Sequence, residues 1–542
     1  MPESAIARLI DGLRFGKAHK RVWLLSSLGI MLDGFDFFIM GVALPLIVVD
    51  WSTTPLETGL ISSAAIVGAI VGAAVMGPLS DRIGRRLAFR IDLMLFVVFA
   101  LASALAPGVW WLILFRFLLG IGVGADYPIS ASYVSEIAPA RLRSRLLIGA
   151  FSFQAVGQLL GAVVGLLVLT LDPNPDAWRW MLAVGVVPAL VIVVLRRTVP
   201  ESPLWLASTA RFAEAAEALR VFTGRAVTVE ELTATGPEIV EIDADGTPGS
   251  FASEELTGAR SAPDEIAGAR LTPIELTGAA IARGEAAAVP MPAPVITGVV
   301  RPADAEPGIP KRSLFSKRLR RATVLTSVPW FFMDIATYGV GVFTPTIIAA
   351  IALSSSADSQ FIADDITSTE GAAFLDLFLV VGFAAALFLV RRLGMIVLQV
   401  AGFVVMALGL TLLAVTNLLP QDTPVQLTLV FIGFAAFNLF MNAGPNSTTF
   451  ALPTLAFDSL TRGAGAGFAA ASGKAGAALG TFLFPLVQAS LGLATTLLII
   501  AGGCLVAAVV TFALRRVVAS GPARDGAGTP PGLPALSTSG RK

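Results

Sequence analysis

Sulfur, imidazole and charge are nearly missing from this 542-residue chain, which has one cysteine (Cys504), one histidine (His19), three tyrosines and only 14% charged residues. A lone cysteine excludes an intrachain disulfide framework, and with a lone histidine no Cys/His metal site can be assembled; no cofactor of any kind is implied. The 38 basic and 38 acidic residues cancel, so a general basic surface for nucleic acid is absent. What remains is apolar. Hydrophobic residues make up 55% of the chain and the mean hydropathy is +0.79, values too high for a water-soluble protein of this length. The lipid bilayer is the expected solvent.

Apolar runs long enough to cross a bilayer, about 20 residues each, lie near 23–49, 57–79, 87–106, 110–133, 147–171 and 180–196. A second set lies near 321–353, 372–390, 395–416, 424–446, 463–489 and 492–514. The fold class expected is an all-α membrane protein, with twelve transmembrane helices as two six-helix bundles at 23–197 and 321–516. A short amino-terminal segment (1–22), a linker (198–320) and a tail (517–542) complete the layout. Basic residues cluster after even-numbered spans, as in Arg82, Arg85, Arg86 and Arg90, or Arg391 and Arg392, while the alternate loops hold Asp50, Glu57, Asp172, Asp358, Asp364 and Asp365. Positive charge is retained inside, so both termini and the linker are predicted cytoplasmic and the membrane is the plasma (inner) membrane.

The linker differs in composition. Residues 222–312 are rich in Ala, Gly, Pro, Thr and Glu and carry a ten-residue period, Glu255-Leu256-Thr257-Gly258-Ala259, Glu265-Ile266-Ala267-Gly268-Ala269 and Glu275-Leu276-Thr277-Gly278-Ala279. So few large apolar residues favour disorder there. Just upstream, residues 210–219 read as an amphipathic helix with Phe212, Ala216 and Leu219 on one side.

Ionisable residues inside the spans are the functional candidates, because a charge near the bilayer centre costs about 2.5–3.5 kcal/mol. Asp334 and Lys474 stand in two such spans and are candidates for an ion pair. Trp330, Asp334 and Tyr338 recur every four residues, which places a ring, a carboxyl and a hydroxyl on one helical stripe. Asn438, Asn442 and Asn446 also recur every four residues and fit interhelical hydrogen bonding as well as ligand binding. Asp126 lies about 100° round the helix from Tyr127, so the two cannot both face one ligand squarely. A stretch ending Ser472-Gly473-Lys474 superficially matches a phosphate-binding P-loop, but its spacing is one residue too long and it lies within a span. With no nucleotide-binding domain visible, an ion gradient is the expected energy source and the chain is not read as an enzyme.

The turn Gly77-Pro78-Leu79-Ser80-Asp81-Arg82-Ile83-Gly84-Arg85-Arg86 resembles the signature loop of the major facilitator superfamily, with a degenerate copy at Arg391-Arg392-Leu393-Gly394. Arg116-Phe117-Leu118-Leu119-Gly120, Ser135-Glu136-Ile137-Ala138-Pro139 and Pro200-Glu201-Ser202-Pro203-Leu204-Trp205-Leu206 resemble its sugar-porter-like branch. The resemblance implies a gating set of Asp81, Arg85, Arg86, Arg116, Glu136 and Arg143, in which Asp81 meets a helix N-terminus or a neighbouring arginine. Gly124-Ala125-Asp126-Tyr127-Pro128, the Trp330–Tyr338 stripe, Gly444-Pro445-Asn446-Ser447-Thr448 and Ser472-Gly473-Lys474 together resemble phosphate:proton symporters of that superfamily.

By that resemblance the substrate residues are Tyr127, Gln154, Trp330, Asp334, Tyr338, Asn446 and Lys474, and the proton residues are Asp33 or Asp36, Asp126 and Asp334. The implied partners are a small-molecule anion, phosphate first, and protons. The Asp33-Gly34-Phe35-Asp36 opening equally resembles proton-coupled carriers of organic metabolites, which keeps a sugar or organic acid as the alternative substrate. A transporter-like nutrient receptor signalling through residues 222–312 is a third reading, separated by deleting that segment: a carrier still accumulates substrate, whereas a receptor loses its output.

Overall fold

A computed structural model describes residues 6, 9–13, 15–224, 226–229, 232, 241–242, 248–249, 314–317, 319–352, 361–416, 419, 423–457 and 461–519. They fall in two compact units, one drawn from residues 1–234 and 313–542 and the other from 235–312. Among the described residues of the first unit, eleven helices are long and apolar enough to cross a bilayer and a bent pair makes the twelfth span. The amino-terminal half comprises α1 (Lys17–Trp51), α2 (Pro55–Ile83), α3 (Arg85–Ala104), α4 (Val109–Ile137) and α5 (Ala140–Leu171). Its sixth span is α6 (Trp178–Val184) followed by α7 (Val186–Arg196). After α8 (Pro203–Ser208) and α9 (Phe212–Thr223), the carboxy-terminal half opens with α10 (Arg320–Gly341) and α11 (Thr344–Ala352). It continues through α12 (Phe361–Leu393), α13 (Met395–Thr416), α14 (Pro424–Ala443), α15 (Pro445–Ala456), α16 (Arg462–Leu491) and α17 (Leu493–Ala513), with α18 (Arg516–Ala519) at its end. This is the two-bundle helical fold expected from the hydropathy pattern.

Local chemistry sets the boundaries. Thr54 and Glu57 close a capping box at the start of α2, Glu57 accepting from the Thr54 N–H at 2.9 Å and Thr54 Oγ1 from the Glu57 N–H at 3.3 Å. Gly84 alone joins α2 to α3 with φ +91°, a backbone state that favours glycine, while its N–H still bonds Ser80 O at 3.0 Å. Pro345 has no N–H to offer and its ring crowds the preceding turn, so the seventh span breaks between α10 and α11 with a 60° bend. Gly444 leaves the helical backbone region (φ −114°, ψ −101°) between α14 and α15, which nonetheless run on as one tenth span. The eighth span departs from expectation: α12 begins at Phe361 rather than near 372, so Asp364 and Asp365 belong to a helix instead of a loop. An acidic first turn favours that helix N-terminus.

Helix ends bearing Arg82, Arg85, Arg86 and Arg196 gather on one face, called here the basic face, and those bearing Asp50 and Glu57 lie at the opposite, acidic face. On the acidic side the halves touch closely through α2 and α16, where Ser62 Oγ donates to Thr481 O at 3.1 Å. A Cβ placed on Gly59 would sit 2.5 Å from Phe482 O, and one on Gly41 2.5 Å from Val342 O, so backbone meets backbone there. α12 packs on α5 along a second seam between the halves.

The interval counted with the linker on sequence begins as ordered helix. α9 begins at Phe212, two residues later than the helix read over residues 210–219, and α8 and α9 bury Trp205, Leu206, Ala216 and Leu219 with Ile6 and Ile10 in a small core of their own. The ten-residue repeat lies outside the described residues. In the second unit, β1 (Glu241–Ile242) and β2 (Pro248–Gly249) form a two-residue antiparallel pair, with Glu241 opposite Gly249.

Candidate functional site

Midway along the helices, α1, α4, α5, α10 and α16 each bring polar side chains to one place. Lys474 Nζ donates to the Tyr338 hydroxyl at 3.0 Å and lies 4.8 Å from the Tyr127 ring centroid and 4.9 Å from that of Tyr338. Gln154 Nε2 donates both to Tyr338 Oη and to Asp33 Oδ2, each at 3.2 Å. The Tyr127 hydroxyl donates to the same Asp33 oxygen. Two phenols thus sandwich the ammonium while an amide ties one of them to a carboxylate from the other half. Such a fully connected buried network holds its members in fixed positions. Tyr338 also stacks edge-on against Phe37 at 4.6 Å, joining α10 to α1.

The four-residue spacing on α10 places Trp330, Asp334 and Tyr338 on one stripe as the sequence implies. Asp334 is 5% exposed, and its Oδ2 lies 2.8 Å from where a Cβ on Gly473 would stand, beside the Trp330 indole. Only glycine leaves room there. The direct Asp334–Lys474 ion pair read from sequence is absent among the described residues. Lys474 reaches one turn further along α10, to Tyr338, so carboxylate and ammonium share the site without contact. With Asp33 and Asp334 both ionised, one lysine faces two carboxylates. Asn446 is not brought into hydrogen-bond contact with this group: its Nδ2 donates to Asn442 Oδ1 at 2.7 Å across the α14–α15 junction.

The other acidic candidates have arginine partners. Asp36 accepts from Arg116 at 2.6 Å, and Asp126 accepts from Arg196 at 2.7 Å and from Ser130 Oγ at 3.2 Å. Arg196 also donates to the Leu25 and Ser26 carbonyls at 2.9 and 3.2 Å, stands 3.7 Å from Asp92 and covers the Phe89 ring at 4.2 Å. Asp33, Asp36, Arg116, Tyr338 and Lys474 line one cavity; Asp33, Asp92 and Asp126 line a second beside it. Neither Arg196 nor Asp92 belongs to a motif read from the sequence. The available signal was a single aspartate in the apolar run of α3.

At the basic face Arg85 bonds Asp81 at 2.7 Å and Glu136 at 2.6 Å, and Arg86 Nη2 donates to Arg197 O at 3.0 Å. All of these lie within the amino-terminal half. The helix N-terminus offered to Asp81 on sequence is taken instead by Glu201, whose carboxylate accepts the backbone N–H groups of Arg85 at 2.9 Å and Arg86 at 3.1 Å. Removing a helix-capping acceptor costs about 0.5–2 kcal/mol, so Glu201→Ala is expected to lower the thermal unfolding midpoint of the purified protein. An unchanged midpoint would show that this cap contributes nothing. Arg116, grouped with the gate on sequence, stands 136 − 116 = 20 residues before Glu136 on α4, about 30 Å away at 1.5 Å per residue. It belongs with Asp36. The Arg143 side chain lies outside the described residues.

About one turn nearer the basic face, an aromatic layer bridges the halves. Phe151 of α5 lies 4.2 Å from Phe450 of α15 between ring centroids, with Tyr127 at 5.6 Å from Phe151 and Trp330 at 6.1 Å from Phe450.

The family model described as "Sugar (and other) transporter" matches residues 22–247 and 312–517. The inner membrane metabolite transport protein YgcS of Escherichia coli is 28% identical to the chain over 506 residues, covering 93% of it and 92% of that protein. The low affinity inorganic phosphate transporter 4 of Medicago truncatula is 25% identical over 516 residues, covering 88% and 85% respectively. Among solved structures, a partially occluded inward-open form of the xylose transporter XylE of E. coli aligns with a TM-score of 0.63 at 19% identity, covering 92% of this chain and 99% of that one. That likeness is one of fold.

Proposed function

This chain belongs to the sugar (and other) transporter family of the major facilitator superfamily, secondary carriers of small molecules rather than enzymes, and from that premise we propose that it imports inorganic phosphate with protons by alternating access. The supporting observation is the setting of Lys474. It is a membrane-buried ammonium between two phenols, with an amide and an indole close by, all able to donate hydrogen bonds to oxyanion oxygens. The motif resemblance and the similarity to a plant phosphate transporter point the same way.

In this reading the two carboxylates supply the coupling. An anion beside ionised Asp33 and Asp334 is repelled, so substrate binds when protons have neutralised them, and loss of those protons promotes release. Rocking of the two bundles about the midplane exposes the site to each face in turn. The basic face is the cytoplasmic one, by the retention of positive charge. Asp334→Asn is expected to bind and exchange phosphate but to lose accumulation driven by an inward proton gradient. Labelled phosphate uptake into proteoliposomes, with and without the gradient, reads this directly. Full gradient-driven accumulation by the variant would remove Asp334 from the coupling step.

A second reading, proton-coupled uptake of an organic metabolite, is favoured by the similarity to a metabolite transport protein and by the excess of carboxylate over lysine at the site. Absence of phosphate uptake by folded native protein would select it.

A further inference from the structure

Buried carboxyls of the amino-terminal half sit beside arginines, Asp36 with Arg116 and Asp92 and Asp126 with Arg196. In the other half α12 departs from this rule. Asp365 and Asp376 are each 4% exposed, and each keeps a carboxyl oxygen without a hydrogen-bond partner among the described residues; so does the hydroxyl of Thr369, which is 0% exposed. These residues are separated by four and seven positions. At about 100° per residue they lie within about 40° of one another, on one stripe descending from the acidic face. Leu375 O accepts from Asn438 at 3.2 Å and a Cβ on Gly382 would sit 2.6 Å from Leu439 O, which fixes the side of α12 that faces α14. The Asp365–Thr369–Asp376 stripe is turned about 100° from that side; besides α14, the helix that packs most extensively on α12 is α5.

The helices packed against α12 offer these carboxyls no base. α11, α13 and α14 contain no ionisable residue, and α5 has none over residues 146–171. Beyond its basic end α1 brings only further carboxylates, Asp33, Asp36 and Asp50, and residues 353–360 carry no lysine or arginine. On α12 itself Glu370 is exposed, and Arg391 is fifteen residues from Asp376 (391 − 376 = 15), about 22 Å along the helix. A carboxylate left ionised in such surroundings carries a heavy desolvation cost with no ion pair to offset it.

We propose that Asp376 is a second proton-binding site of this carrier, set in the α12–α5 seam apart from the Lys474 cavity and loaded from the acidic face past Asp365 and Thr369. Because the seam lies between the halves, their rocking changes which side Asp376 faces and lets the proton leave on the other. This transport role rests on the proton-coupled reading above. The occupancy of the site rests only on burial and the lack of bases.

Infrared spectroscopy of the purified full-length protein at neutral pH, without substrate, tests the occupancy. The native spectrum is expected to contain a protonated-carboxyl C=O band that shifts in deuterium oxide, is unaffected by sodium chloride, and disappears in Asp376→Asn while persisting at a shifted frequency in Asp376→Glu. A spectrum unaltered by Asp376→Asn would overturn the proposal, and so would replacement of the band by carboxylate stretches on adding sodium, which would identify a sodium site instead. For the transport role, the reversal potential of substrate flux in proteoliposomes is expected to report one proton fewer per substrate in Asp376→Asn. An unchanged ratio would overturn that role. Since the infrared measurement uses no substrate, it stands or fails independently of the phosphate reading.

Discussion

Replacing Lys474 by alanine is expected to abolish uptake. The ammonium stands at the centre of the site, held by Tyr338 at 3.0 Å between two aromatic rings. Truncating one partner of a buried, charge-assisted contact costs about 2–5 kcal/mol, which is roughly thirty-fold to several thousand-fold in affinity at about 1.4 kcal/mol per decade. Calorimetric titration of phosphate into detergent-solubilised protein, beside the uptake assay, separates lost binding from lost coupling. Lys474→Arg is expected to recover little, because a planar guanidinium does not fit the slot between Tyr127 and Tyr338 that a compact ammonium occupies. Phosphate affinity unchanged in Lys474→Ala would move the substrate site elsewhere.

Loss of Arg196 is expected to cost more in stability than any other single change considered. The guanidinium serves Asp126, two α1 carbonyls and, at 3.7 Å, Asp92, all buried. Removing the base from a buried ionic cluster costs about 3–5 kcal/mol, because the orphaned carboxylates remain out of water. Arg196→Met is therefore expected to yield little folded protein by fluorescence-detected size exclusion and to melt well below the native chain. Combining it with Asp92→Asn and Asp126→Asn is expected to restore much of the loss, since no uncompensated charge is then left. A normal melting point for the single variant would mean that the three groups are not energetically linked.

Much of the fold was legible because a bilayer imposes a simple rule on sequence: about 20 apolar residues per crossing, with bases held to one side. The rule misplaced the start of α12 because Asp364, Asp365 and Glu370 make its first turns look like a loop. Helical geometry also gave the Trp330–Asp334–Tyr338 stripe, which depends only on positions within one helix. Pairings across helices were legible only where the chain is nearly continuous, as in Asp81 with Arg85 across the Gly84 turn. Lys474 bonds Tyr338 rather than Asp334, Arg116 bonds Asp36 far from the gate, and Glu201 rather than Asp81 caps α3. Each outcome depends on helix crossing and depth, which one sequence does not encode. Asp376 went unremarked because it belongs to no motif; its interest comes from what surrounds it.

The two closures of the midplane site differ in kind. On the acidic side glycine backbone touches opposing carbonyls at Gly59 and Gly41, and no side chain can swing aside to open a gap. On the basic side the bridging groups are rings, Phe151 against Phe450. A ring pair can part by side-chain rotation, whereas parting two backbones takes movement of whole helices, a rigid-body motion of microseconds to milliseconds. The two faces therefore differ in what opening demands: on the basic side two rings must turn, on the acidic side whole helices must move apart.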